Sequence, residues 1–380
     1  MKKKILFISE RRADYAKLKP IIKEIEKSET IEYYLLVTGS HLLKKYGYTI
    51  NEIKKDKIKI YKKFEMFPKN SKNTPDQMTL GFGKSVIEIT KIVKKLKPNI
   101  IFTGFDIGAN FAAAIVGAHM NIHVVHMEGG ELTGTIDESI RHAISKFAHI
   151  HFTASHLAKK ILIKMGENEK NIFVVGNPSL DQIKKVKKIP TKELEKEFNI
   201  QLDKPLILLL QHTVTTEFDK IDKYFSETIS AIQKCDIQCL IISGNLDAGS
   251  EKILKIIEKS KIQNYSNLSF EKYINLLKNC SVLVGNSSSG IMEAPFLRIP
   301  SINIGTRQAG RLTSDSIINV GYDKKIIVKA IKKAVYSEEF LKKNKKTKNQ
   351  YGNGDSAKKI VKILEKMNLN KISIQKKMMY

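Results

Sequence analysis

The feature that most constrains this chain is a unit that keeps returning: a short apolar run rich in β-branched and aromatic residues, then a polar or glycine-bearing turn, then a segment with helical spacing. The first copy is KILFIS (4–9), which passes through SERRAD into Leu18, Ile21, Ile22 and Ile25, spaced as on one helix face. Further strands are predicted at YYLLVTGS (33–40), NIIFTG (99–104), HVVHMEGG (123–130), HIHFTAS (149–155) and FVVGNPS (173–179). A second series follows at PLILLLQH (205–212), CLIISGN (239–245), NLSF (267–270), SVLVGNSSSG (281–290) and SINIG (301–305), with helices such as EKILKIIEKS between them. Strands separated by helices predict parallel sheets covered on both faces, an α/β fold. The lysine-rich KKVKKIPTKELEKEF (184–198) interrupts the alternation, and 380 residues exceed what one core usually serves. Two Rossmann-like domains are therefore expected, at 1–180 and 181–355. A helix and tail over 356–380 follow, with the end from Leu369 to Tyr380 frayed.

Composition limits the partners. Lys and Arg total 66 against 39 Asp and Glu, a net charge of +27. The excess is mostly lysine spread over helix-like segments, with no basic stretch interleaved with aromatics, so it reads as solvated decoration and not as a nucleic-acid surface. The opening MKKKILFIS is cut short by SERRAD, too early for a signal peptide, and no run of 18 apolar residues exists. A cytoplasmic chain with no membrane partner is expected. Cys235, Cys239 and Cys280 form neither a disulfide framework nor a paired zinc pattern, and read as apolar fillers.

In open parallel sheets ligands sit beyond the carboxyl ends of the strands, and every chemically suggestive group falls there. No G-x-G-x-x-G follows the first strand, which argues against a nicotinamide enzyme. The stretch from Gly104 to His142 crowds Asp106, Glu128, Glu131, Asp137 and Glu138 among apolar segments and glycines. That density suggests acid/base chemistry, with helix caps and solvated loop charges as the structural alternative. Arg11, Arg12 and Lys17 flank a helix start that would favour an anion. In GNSSSGIMEAP, Asn286, Ser287, Ser288 and Ser289 precede a helix, and their hydroxyls and amides suit a diphosphate; N-capping explains one such residue, not four in a row. Glu293 would accept from ribose hydroxyls, and Arg307 and Arg311 would neutralise phosphates. His212 ends an apolar strand and faces the crevice by position, with Thr and Glu neighbours in HTVTTE to orient it. Seven of the nine histidines lie between 119 and 156, but His123 and His126 do not share a strand face, and His119–His123 runs from a helix end into a strand. No metal site is expected.

Taken together the motifs resemble the hydrolysing UDP-N-acetylglucosamine 2-epimerases of the sialic and legionaminic acid type. The resemblance runs in order through SERRADYAKLKP, TGSHL, YGYTI, HMEGGELTGTIDESIRHAISKFAHIH, VVGNPSLDQI, HTVTTE, GNSSSGIMEAP and NIGTRQAGR. It implies a GT-B architecture, with the nucleotide sugar in a cleft between two Rossmann-like domains, no cofactor or metal, and a homodimer or homotetramer. The implied reaction removes the C2 proton with anti loss of UDP from C1, giving a 2-acetamidoglucal. Water then adds to C1 while C2 is protonated from the other face, releasing N-acetylmannosamine.

Carried over residue by residue, the resemblance makes Asp106, Glu128 and Asp137 the acid/base carboxylates and His212 the cleft histidine. Arg12, Ser288, Ser289, Glu293 and Arg307 match nucleotide contacts, Lys17 a basic position near the site, and Asn245 and Asp247 the base pocket. Glu131 and Arg141 join them as candidate substrate contacts, Glu131 by orienting or capping. One departure stands beside Asp106: where the family usually reads G-D-R, this chain reads Phe105, Asp106, Ile107. The lost arginine bears on UDP affinity and on the sugar. It keeps a UDP- or GDP-linked 2,4-diacetamido-2,4,6-trideoxyglucose as the alternative substrate. A GT-B glycosyltransferase or an inactive nucleotide-sugar binding protein would share the fold.

Overall fold

The computed structural model describes residues 2–68, 74–105, 108–133, 136–243, 250–265 and 268–379. Two compact units divide the chain: Met1–Glu131 with Ile136–Gln182 and Tyr351–Tyr380, and Leu132–Thr135 with Ile183–Gln350. Each is a Rossmann-like parallel α/β unit.

In the first unit, β1 (Lys3–Ser9), β2 (Ile31–Val37), β3 (Ile60–Lys63), β4 (Ile100–Gly104), β5 (His123–Met127), β6 (Ile150–Thr153) and β7 (Ile172–Val174) form one sheet. Its order is β3-β2-β1-β4-β5-β6-β7, with every pairing parallel. The chain builds outward from β1, then resumes on its other side at β4, which makes β1/β4 the topological switch point where such sheets bind ligands. Successive side chains of a strand alternate between faces. Ile5 and Phe7 therefore join a core with the helices Arg12–Ile25 and Ser356–Lys366, while Leu6 and Ile8 join another with Pro75–Leu96 and Gly108–His119. Both faces are apolar, which is why the central strands read as continuous hydrophobic runs. Asp181 caps the helix Ser356–Lys366, its carboxylate accepting the N–H groups of Ser356 at 3.0 Å and Ala357 at 2.7 Å.

The second unit carries β8 (Leu206–Leu210), β9 (Gln238–Ile242), β10 (Asn264–Tyr265), β11 (Val282–Gly285), β12 (Ser301–Ile304) and β13 (Ile317–Val320) in the order β10-β9-β8-β11-β12-β13, again all parallel. Ile207, Leu209, Val282 and Val284 meet the helices Ile221–Cys235 and Lys324–Tyr336 across one face. No described helix is long and apolar enough to cross a membrane.

Three expectations are corrected. NLSF is not a strand in its described part: the pairing segment is Asn264–Tyr265, and Ser269 caps the helix Phe270–Asn279 by accepting the Lys272 N–H. Asn267 lies outside the described residues. The edge strands β3 and β13 were not anticipated; IYKK and IINV are largely unburied and lack the continuous apolar signature. The tail over 369–379 is not frayed, and Tyr380 lies outside the described residues. Ring nitrogens of His123 and His149 lie 2.9 and 3.0 Å from the carbonyl oxygens of Ile372 and Ile374, Lys376 sits 2.5 Å from Glu167, and the Met379 N–H donates to the Gly166 carbonyl. The tail's partners are far away in sequence, so no local pattern announces them. The same contacts, with His151 3.0 Å from Glu167, absorb three of the clustered histidines.

His41 is buried between Ser9 Oγ at 2.8 Å and Thr49 Oγ1 at 2.7 Å, and burial pushes its pKa down to about 4. Burial lowers His149 and His151 as well. An unfolded histidine titrates near 6.5, so between about pH 4 and 6.5 the unfolded chain binds more protons than the folded one. This stabilisation is complete above that window and is lost as pH falls through it. Thermal denaturation should show a midpoint that is flat above neutrality and drops on acidification from pH 6.5 to 4.5. His41→Gln should flatten the drop.

Candidate functional site

In the first unit the site is built on the ends of β1, β4 and β5. Asp14, buried in the first turn of the helix Arg12–Ile25, accepts the N–H groups of Glu10 and Arg11 at 3.2 and 3.0 Å and pairs with Arg11 Nε at 3.0 Å. Burial raises its pKa, against the opposing pull of Arg11. The loop after β1 is thereby fixed. Arg12 stays half-exposed, 4.0 Å from Glu52, whereas Lys17 reaches inward, with Nζ 2.6 Å from Glu128 Oε2 and 4.9 Å from the centre of the Phe105 ring. Asn177, just after β7, donates from Nδ2 to Glu128 Oε1 at 3.1 Å. Both oxygens of this buried carboxylate are thus held.

The backbone is strained at the same place. Phe105 after β4 and Glu128 after β5 have φ of +71° and +65°, a left-handed conformation costing a side-chain-bearing residue roughly 1–2 kcal/mol. Such strain persists only where the surroundings impose it, and it concentrates at functional sites. Gly130, at φ +80°, is required: a Cβ there would lie 2.3 Å from the Ala158 carbonyl oxygen.

The predicted residues around Glu128 divide. Glu131 and Arg141 are both buried and come together, Arg141 Nη1 donating to the Glu131 carbonyl at 2.7 Å while Ser155 Oγ donates to the Glu131 carboxylate at 3.1 Å. Asp137 opens the helix Ile136–Phe147 beside Glu138, where the helix N-terminus favours carboxylates. Asp106 and Ile107 lie outside the described residues, as do Asn245 and Asp247 of the second unit. Asn177 was missed by sequence reasoning, although it follows a predicted strand end in the GNPS turn.

In the second unit the ends of β8 and β11 meet at Asn286. Its N–H donates to the Leu210 carbonyl at 3.1 Å, its Oδ1 accepts the His212 N–H at 2.7 Å, and its Nδ2 donates to the His212 carbonyl at 2.8 Å. Arg307 Nη1 and Gln308 Nε2 donate to the Asn286 carbonyl at 3.1 and 2.9 Å. Ser287 Oγ accepts the Ser289 N–H, Ser288–Gly290 makes a single helical turn, and Ser289 Oγ hydrogen-bonds Tyr273. Glu293 begins the next short helix. Glu217 does not orient His212, as HTVTTE had suggested. Its oxygens accept from Thr306 Oγ1 at 2.7 Å and Tyr322 Oη at 2.5 Å, because those hydroxyls reach it first.

Shielded Nδ1 of His212 has no hydrogen-bond partner among the described residues, and neither have Gln211 Oε1 and Thr213 Oγ1 on either side. Together these shielded polar atoms offer hydrogen-bonding capacity beside the strand end. Burial, reinforced by the Arg307 charge, pushes the His212 pKa down to about 3. The imidazole is therefore a neutral hydrogen-bonding group at neutral pH. Its Hε1 NMR resonance should stay fixed from pH 8 to 5, while the same histidine in the denatured chain moves near pH 6.5.

Residues 23–365 match the family model described as UDP-N-acetylglucosamine 2-epimerase. The chain is 33% identical over 374 residues, 97% of either chain, to UDP-N,N'-diacetylbacillosamine 2-epimerase (hydrolyzing) of Legionella pneumophila. It is 36% identical to UDP-N-acetylglucosamine 2-epimerase of Neisseria meningitidis serogroup B over 87% of each. Among solved structures, UDP-GlcNAc 2-epimerase from Neisseria meningitidis bound to UDP-GlcNAc superposes with a TM-score of 0.84, covering 96% of this chain and 100% of that one at 20% identity, a likeness of fold. By sequence, fold and strand-end chemistry, the chain belongs to the UDP-N-acetylglucosamine 2-epimerase family.

Proposed function

We propose that the chain is a hydrolysing 2-epimerase that converts UDP-N-acetylglucosamine and water into N-acetylmannosamine and UDP. The C2 proton leaves to a carboxylate as the C1–O bond to UDP breaks on the opposite face, giving a 2-acetamidoglucal. Water then adds its oxygen to C1, and C2 takes a proton on the face opposite to the one that lost it. This requires carboxylates able to exchange protons near the ring and groups that bind the departing diphosphate. Asp106, Glu128 and Asp137 are assigned the proton transfers. Lys17 and Asn177 keep the Glu128 carboxylate in one orientation. His212 is assigned a neutral hydrogen bond to the substrate.

Arg12, Arg307, Ser288 and Ser289 are assigned to the diphosphate, Glu293 to the ribose hydroxyls, and Asn245 and Asp247 to the base. Lys17, Glu131 and Arg141 are assigned to the sugar side. The observation that carries the reading is Glu128 itself: a buried carboxylate on a left-handed backbone at a strand end, gripped at both oxygens, in a chain of this family. Hydrolysis, as opposed to epimerisation alone, is supported by the Legionella relative's name over 97% of the chain. That name also favours a second reading, the same reaction on a nucleotide-linked 2,4-diacetamido-2,4,6-trideoxyglucose, which the sequence departure at Ile107 supports.

Incubation with UDP-N-acetylglucosamine and with the UDP- and GDP-linked diacetamido sugars, followed by 1H and 31P NMR, separates the readings. UDP and free N-acetylmannosamine should appear one for one from the first substrate. Preferential turnover of a diacetamido sugar selects the second reading, and UDP-N-acetylmannosamine with no free sugar, or transfer to an acceptor, contradicts both. Asp106→Asn and Glu128→Gln should each lower kcat by about 100-fold or more with the fold intact.

A further inference from the structure

We infer that Asn286 is a positioning residue that aims the His212 imidazole, an inference resting on the catalytic reading of that histidine. Strands β8 and β11 pair in parallel up to Leu210 opposite Gly285. Gly285 has φ +131°, and a Cβ there would lie 1.9 Å from the Leu210 carbonyl oxygen, so only glycine lets the two strand ends approach this closely. The last main-chain rung is the Asn286 N–H to the Leu210 carbonyl at 3.1 Å.

The next rung is made by a side chain. The Asn286 carboxamide accepts the His212 N–H at 2.7 Å and donates to the His212 carbonyl at 2.8 Å, as a peptide unit of a neighbouring strand would. Asn286 is fully buried, so both bonds are shielded from competing water. Held on both sides of its Cα, His212 has little freedom in its backbone angles. The ring needs such a hold, because among the described residues it makes no hydrogen bond of its own and Nδ1 is shielded without a partner. Beyond packing, its direction is set through the main chain.

The Asn286 main-chain carbonyl holds Arg307 and Gln308. One residue thus fixes the imidazole through its side chain and the guanidinium through its backbone. These two functions are separable by mutation. Asn286→Ala removes both bonds to His212 and leaves the carbonyl that Arg307 uses. Asn286→Asp, nearly isosteric, keeps an acceptor for the His212 N–H but turns a carboxylate oxygen toward the His212 carbonyl. Glutamine adds a methylene and misplaces the amide.

The test compares wild type, Asn286→Ala, Asn286→Asp, His212→Ala and the double variant Asn286→Ala/His212→Ala, with folding checked by circular dichroism. Displacing a reacting group by about an ångström costs about 100-fold, so kcat should fall by that order in Asn286→Ala, while the UDP inhibition constant stays within about threefold. In the His212→Ala background the Asn286 substitution should cost less than about threefold, since residues acting as a unit are not additive. Additive losses, or a parallel loss of UDP affinity, overturn the inference. The His212 Hε1 resonance gives a readout independent of turnover. It should shift or broaden in Asn286→Asp, and in Asn286→Ala where that variant folds; an unchanged resonance overturns the inference whatever the activity. A wild type without 2-epimerase turnover would instead defeat the proposed function, and the resonance would still decide whether Asn286 positions the ring.

Discussion

The candidate site of the first unit depends on the parallel pairing of β1 with β4 and of β4 with β5. Those ladders bring the loops after three strands to one edge of the sheet, although β1 and β5 are more than a hundred residues apart in sequence. Lys17, on the helix following β1, thereby reaches Glu128 after β5 and the Phe105 ring after β4. The strained peptides at Phe105 and Glu128 follow from the same arrangement: each strand must turn sharply at its end while its neighbours and the helices on both faces stay fixed. A core shared by Phe7, Phe102 and Phe152, with the first two rings stacked at 4.7 Å, supplies the rigidity that such strain requires.

The second unit uses a different device toward a similar end. Hydrogen bonds centred on Asn286 and a glycine-permitted close approach do the positioning. Glu217 adds a brace, tying Thr306 and Tyr322 together while Tyr322 stacks on Tyr224 at 3.7 Å. The loops bearing His212 and Arg307 are therefore each anchored twice.

Much of this was legible in the sequence, and what was not has identifiable causes. Central strands buried on both faces leave an unbroken apolar run, so β1, β4, β5, β8 and β11 could be read directly. Edge strands are half-solvated and mix lysine or asparagine into the run, so β3 and β13 were missed and β10 was misplaced onto a capped helix start. The histidine cluster drew attention by density alone. The partners of His123, His149 and His151, the tail carbonyls and Glu167, are visible only in three dimensions. Lys17, Glu128 and the Asn286 turn were singled out because strand-end positions in parallel sheets carry chemistry. Asn177 and the true partners of Glu217 were not, because a side-chain amide or hydroxyl at a loop position leaves no periodic trace. The carboxylate at Asp106 rests on its spacing of 22 residues to Glu128, and lies outside the described residues.

The proposed function rests on the claim that a proton leaves C2 of the bound sugar and another returns to the opposite face. Running the reaction in D2O and examining C2 of the released sugar by 1H NMR addresses that claim without assuming which carboxylate acts. Free N-acetylmannosamine carrying deuterium at C2 should form together with UDP. Product that keeps the original hydrogen at C2, or a sugar released without inversion there, would contradict it.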